Sequence, residues 1–167
     1  VVLVNRGTCT FGQKAKNVQS SNASAVIVIN NEPGLDHLPG PDAHDLIFSV
    51  SSVAQTEGQL LETVYDEGPQ DGGFGRLLEG YMVPINCEVS GAKCGPATLE
   101  EKSAIKTMND GGLLSLTRSD GTNALSDKDT PLEYLLAHFG TKVLAPDQSL
   151  PIVRAQPPEA CDTIAND

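Results

Sequence analysis

Short unbroken apolar runs alternate with amphipathic stretches along the first part of the chain. Val1-Val2-Leu3-Val4 is continuous, β-branched and bounded by Asn5-Arg6-Gly7, which predicts a strand buried on both faces. Phe11, Ala15 and Val18 follow at i, i+4 and i+7, with Lys14, Lys16 and Gln19 between them. That spacing predicts an amphipathic helix of about three turns. Asn22 stands where the helix should stop, and Asn is the non-glycine residue best suited to the left-handed stop position. Ala25-Val26-Ile27-Val28-Ile29 reads as a second buried strand, closed by Asn30-Asn31. Two apolar strands joined by a helix predict a βαβ unit with a parallel pair and a right-handed crossover.

The pattern then loosens. Residues 32–45 read as loop, punctuated by Pro33, Gly34, Pro39, Gly40 and Pro41. Leu46-Ile47-Phe48-Ser49-Val50 predicts a strand, and residues 54–66 a helix with Leu61, Val64 and Tyr65 on one face. Gly58 within that helix costs about 1 kcal/mol relative to Ala, so packing is expected to require it. Residues 68–75 form a breaker-rich turn and 77–85 a further strand. Thr98 and Glu101 make a capping box for a helix with Leu99, Ile105 and Met108 on its apolar stripe. Residues 113–117 are a short strand candidate and 119–131 a polar loop. Residues 132–139 fit either helix or strand, 150–155 look extended, and 156–161 form a stiff turn.

Composition narrows the field of functions. Eleven Lys+Arg against 22 Asp+Glu in 167 residues give a net charge of -11. So acidic a chain is a poor partner for nucleic acid or an anionic membrane face. No apolar run approaches the ~20 residues needed to cross a bilayer. Aromatic residues are 4% and Trp is absent, so the core must be built from Val, Ile, Leu and Ala. Val1 opens inside a strand-like run with no Met and no leader, so it reads as a boundary imposed on the chain and not a natural start.

Candidate chemistry is sparse. Asp36, His37, Asp42, His44 and Asp45 could hold a divalent ion, but Pro and Gly between them fix no geometry, and a solvated loop is the better reading. Asp120-Gly121-Thr122-Asn123 with Asp127 and Asp129 resembles a calcium loop in composition only. Gly72-Gly73-Phe74-Gly75 lacks the Lys-Ser/Thr of a phosphate loop, and His138 has no evident catalytic partner. No constellation writes a reaction, so the chain is read as not an enzyme and as needing no cofactor.

Four cysteines remain, Cys9, Cys87, Cys94 and Cys161, with no C-x-x-C among them. The spacing of Cys87 and Cys94 across Ser90-Gly91 suits a small disulfide loop; four free buried thiols are the plainer alternative. Asn22-Ala23-Ser24 is an N-glycosylation sequon, which favours an oxidising compartment, extracellular or secretory.

The first part of the chain resembles a known family. Its segments Asn5-Arg6-Gly7-Thr8-Cys9-Thr10-Phe11, Lys14-Ala15, Asn17-Val18 and Ala23-Ser24-Ala25 through Asn30 look like the protease-associated (PA) domain. The family pattern is a strand, R-G-x-C-x-F, a helix with K-A and N-A, then A-G-A and a strand ending in N. Residues 46–67 continue the likeness. The sequence departs from the pattern at Asn22, where the family usually has Gly, and at Phe48, where it often has Pro. The C-terminus resembles a part of the same family that should come earlier. Residues 134–140, 150–155 and Pro157-Pro158-Glu159-Ala160-Cys161 look like the lead-in strands before R-G-x-C-x-F.

The resemblance implies an α/β fold, a PA-like open β-barrel or sandwich of short strands with two or three flanking helices. It implies a non-catalytic interaction module, and pairing of Cys161 with Cys9. Residues 1–67 would be the core, 68–98 a disulfide-loop connector, 99–131 a helix, strand and polar loop, and 132–167 the lead-in strands of its own or the next unit. The permuted order admits a circular permutation, one register of a tandem array, or strand exchange between subunits. Repeat or exchange is the favoured reading. It expects head-to-tail assembly of copies into a fibre through Val1, Val2, Leu3, Val4, Arg6, Ile152, Val153, Pro157 and Pro158. The alternative is an accessory substrate- or cargo-recognition domain of a larger protease or sorting receptor, binding a protein or peptide ligand.

Overall fold

The computed structural model describes residues 1–35, 38, 40, 43, 45–67, 78–84, 111–118, 121–125, 132–137 and 150–164. Within them the chain runs β1 (Val2–Asn5), α1 (Phe11–Ser20), β2 (Ala25–Ile29), β3 (Ser49–Val53), α2 (Gln55–Glu67), β4 (Leu78–Pro84), β5 (Gly111–Arg118), β6 (Leu132–Leu136) and β7 (Leu150–Arg154). The strands close into a barrel in the order β1-β2-β3-β6-β5-β4-β7. β7, β1, β2 and β3 run parallel, and the remaining pairings are antiparallel. The fold is α/β and PA-like, as expected. The pairing goes one step beyond an open barrel, because β7 bonds β1 on one side and β4 on the other.

The continuous apolar runs have the cause that the sequence predicts. Val2, Val4, Val26 and Val28 point into one core cluster with Ala15 and Val18 of α1. Leu3, Ile27 and Ile29 point into a second with Leu61 and Val64 of α2. Both faces of β1 and β2 are therefore covered, which is the usual condition of parallel strands. Gly58 is explained by packing: a Cβ there would lie 2.1 Å from Cγ2 of Ile29.

β3 differs from the expectation. It begins at Ser49 and not at residue 46, pairing Ala25↔Ser49 through Ile29↔Val53. Ile47 projects into solvent while Ser49, Ser51 and Ser52 are buried. Three serines hide a strand from any reading of hydrophobic runs; the ladder with β2 decides its register. The ambiguous 132–139 segment contains strand β6, which pairs β3 and β5. The capping-box helix at 98–108, His138 and the Gly72–75 segment lie outside the described residues.

Candidate functional site

The polar groups of α1 are gathered by the segment that follows β7. α1 is capped by Thr10, whose side chain accepts a hydrogen bond from Gln13 N at 3.1 Å. This places Gln13, Lys14 and Asn17 beside residues 158–161. Lys14 is fully buried; its ammonium donates to the carbonyl of Glu159 and lies 3.5 Å from Sγ of Cys161. Gln13 Nε2 donates to the carbonyl of Cys161 at 3.0 Å, and Asn17 Nδ2 to that of Ala160 at 2.8 Å. Thr8 Oγ1 donates to the Glu159 carboxylate at 3.1 Å. Burial pulls the Lys14 pKa down, and the Glu159 charge pulls it partly back.

Cys9 and Cys161 are disulfide-bonded within the chain. Above the bond, Val2 pairs Val153 and Leu3 pairs Arg154. Asn5 N donates to the Pro158 carbonyl at 2.8 Å and Val153 N to the Val1 carbonyl at 2.9 Å. Ile152 is buried in the core shared with Leu3. Arg6 turns the other way: it donates to Oδ1 of Asn30 at 2.7 Å and lies over the Phe11 ring at 5.6 Å. The first and last strands thus meet in one molecule. The junction that motivated head-to-tail assembly is filled by the chain's own tail, so a fibre is not supported. Parallel β1–β7 pairing and the Cys9–Cys161 bond already satisfy the edge that a neighbour would have occupied.

A groove of about 370 Å³ opens between the end of α1 and the approach to β3. Asn22 sits on its wall with φ 61°, the left-handed conformation its position suggested. Gln19 Oε1 accepts a hydrogen bond from Ile47 N at 2.9 Å across the groove. The Ser49 hydroxyl in the wall is buried without a hydrogen-bond partner among the described residues.

Of the loop cluster, Asp36, His37, Asp42 and His44 lie outside the described residues, and Asp45 is exposed. Cys87 and Cys94 are outside them too, as are Asp120, Asp127 and Asp129. Gly121-Thr122-Asn123 form a turn, closed by Arg118 N donating to the Thr122 carbonyl at 2.9 Å. Among the described residues no group of His, Cys, Asp or Glu could hold a metal, and no helix is long and apolar enough to cross a membrane.

Lys14, Asn17 and Glu159 carry the junction, yet polarity patterning alone assigns Lys14 to a solvent face. The available signal is the K-A and N positions of the family helix, both present here. Comparison with known proteins agrees. Residues 1–61 match the model of the PA domain. Residues 1–61 are thus similar to a PA domain. It is 34% identical over 73 residues to a probable leucine aminopeptidase 2 of Arthroderma benhamiae, covering 42% of this chain and 14% of that protein. A leucine aminopeptidase 2 of Trichophyton rubrum matches to the same extent. Signal peptide peptidase-like 2 of Arabidopsis thaliana is 41% identical over 54 residues, covering 32% of this chain and 10% of that protein. The match thus spans about a seventh or less of these relatives' lengths. No solved structure matches. The PA domain is a non-catalytic accessory domain, and these relatives are named as peptidases.

Proposed function

We propose that this chain is the accessory protein-recognition part of a larger secreted or lumenal peptidase or sorting receptor, with no catalytic role of its own. The observation that carries this reading is the match of residues 1–61 to the PA domain, in a stretch that makes up only 14% of an aminopeptidase relative. A module of this kind holds a substrate or a neighbouring domain against the catalytic part. The Cys9–Cys161 bond supports an oxidising compartment, extracellular or within the secretory pathway.

The test has two arms. The purified chain should release nothing from an aminoacyl chromogenic amide above the buffer rate; turnover that disappears on substituting one side chain would make it an enzyme. In the parent polypeptide, deleting these residues should raise KM for a long protein substrate and leave kcat on a short chromogenic amide unchanged. Equal loss on both substrates would remove the recognition role.

A further inference from the structure

We propose that Asn22 carries an N-linked glycan whose first sugar, an N-acetylglucosamine, seats in the adjoining groove over Ile47. The proposal rests on the secretory-pathway reading above.

Asn22-Ala23-Ser24 has the acceptor sequence, and both Asn22 and Ser24 are exposed between α1 and β2. Neither side chain is engaged by a hydrogen bond among the described residues, so amide and hydroxyl are both available to the transferring enzyme. The chemistry is a substitution at the anomeric carbon of the sugar. A bond forms from that carbon to Nδ2 of Asn22. Its bond to a polyprenyl-diphosphate oligosaccharide donor breaks, the diphosphate leaves with the electron pair, and the amide nitrogen gives up one proton.

The groove supplies the second half of the argument. Asn22 is part of its wall, so a sugar on Nδ2 is delivered to the groove covalently and at high effective concentration. Ile47 is 77% exposed, the most exposed large apolar side chain among the described residues. Around it stand Gln19, Ser24 and the backbone leading to Phe48. A pyranose has an apolar C–H face and polar edges, which matches an apolar residue framed by polar ones. One isolated exposed isoleucine is ordinary. One that shares a groove with an unengaged glycan acceptor has an occupant already tethered in place.

The protein should be directed into the secretory pathway of a eukaryotic host by an added signal sequence, so that native location does not enter the result. Intact-mass analysis should show a glycan that peptide-N-glycosidase removes, converting Asn22 to Asp, and that is lost in Asn22→Gly and Ser24→Ala. Gly is chosen because it accepts the positive φ. Endoglycosidase trimming then leaves one sugar. Hydrogen exchange at the Ile47 amide should be several-fold slower in that form than in Asn22→Gly, or than in amidase-stripped chain should the variants not fold. A secreted chain with unmodified Asn22 overturns the modification. Equal Ile47 exchange with and without the sugar overturns the seat. So does protection in the sugar-free chain that grows with protein concentration, which would put a second copy there.

Discussion

The Lys14 ammonium donates to the main-chain carbonyl of Glu159, 145 residues further along the chain. A buried cation held by that carbonyl, with the Glu159 charge acting on it, couples α1 to the tail. Lys14→Met keeps the unbranched apolar stem and removes the ammonium donor, leaving the carbonyl acceptor unmade. It should lower stability by about 1–3 kcal/mol. The urea midpoint should fall with an unchanged slope. Exchange of the Asn5 amide, which bonds Pro158, should quicken more than that of the β2 amides.

Cys9 and Cys161 close a loop of 152 residues. Replacing both by Ser should cost roughly 2–5 kcal/mol, because the unfolded chain regains the freedom that the cross-link removed. Non-reducing electrophoresis of the unaltered protein should give one monomer band. A ladder of multimers would contradict closure within the chain.

Gly58→Ala sets propensity against packing. Ala favours a helix by about 1 kcal/mol. Its Cβ, however, would lie 2.1 Å from Ile29 Cγ2. Overpacking of this kind costs about 1–3 kcal/mol, so the variant should be less stable than the parent. Ile29→Ala removes the obstructing methyl, and the double variant should lose less stability than the two single losses added together. Thermal denaturation of the four proteins reads the coupling.

Tyr134 is buried, and burial raises its pKa well above the ordinary value of 10.0. The folded chain therefore keeps the phenol proton where the unfolded chain has lost it. Above pH 10 the folded state binds more protons, so Tyr134 contributes stability that declines as pH rises, by up to about 1.4 kcal/mol per unit. Lys14 acts in the opposite sense: its folded pKa lies below 10.5, so its contribution rises with pH in that range. The difference between the parent and Tyr134→Phe isolates the phenol. Urea unfolding from pH 9 to 11 should show the parent losing stability relative to the Phe variant.

Hydrophobic runs and helical spacing by themselves fixed β1, α1, β2 and α2, because those segments bury apolar faces whose period is local. The R-G-x-C-x-F and K-A signatures pointed to the family, and the left-handed stop at Asn22 was legible from one side chain. The register of β3 was not legible: Ser49, Ser51 and Ser52 are buried only because β2 and β6 flank them, and a serine carries no mark of its neighbours. Nor was the burial of Lys14, whose partner lies at the other end of the chain. The choice between closing on itself and joining another copy was likewise invisible in the order of residues. The tertiary structure pairs β7 with both β1 and β4 of its own chain, which satisfies backbone groups on two edges at once, and only three-dimensional proximity makes that possible.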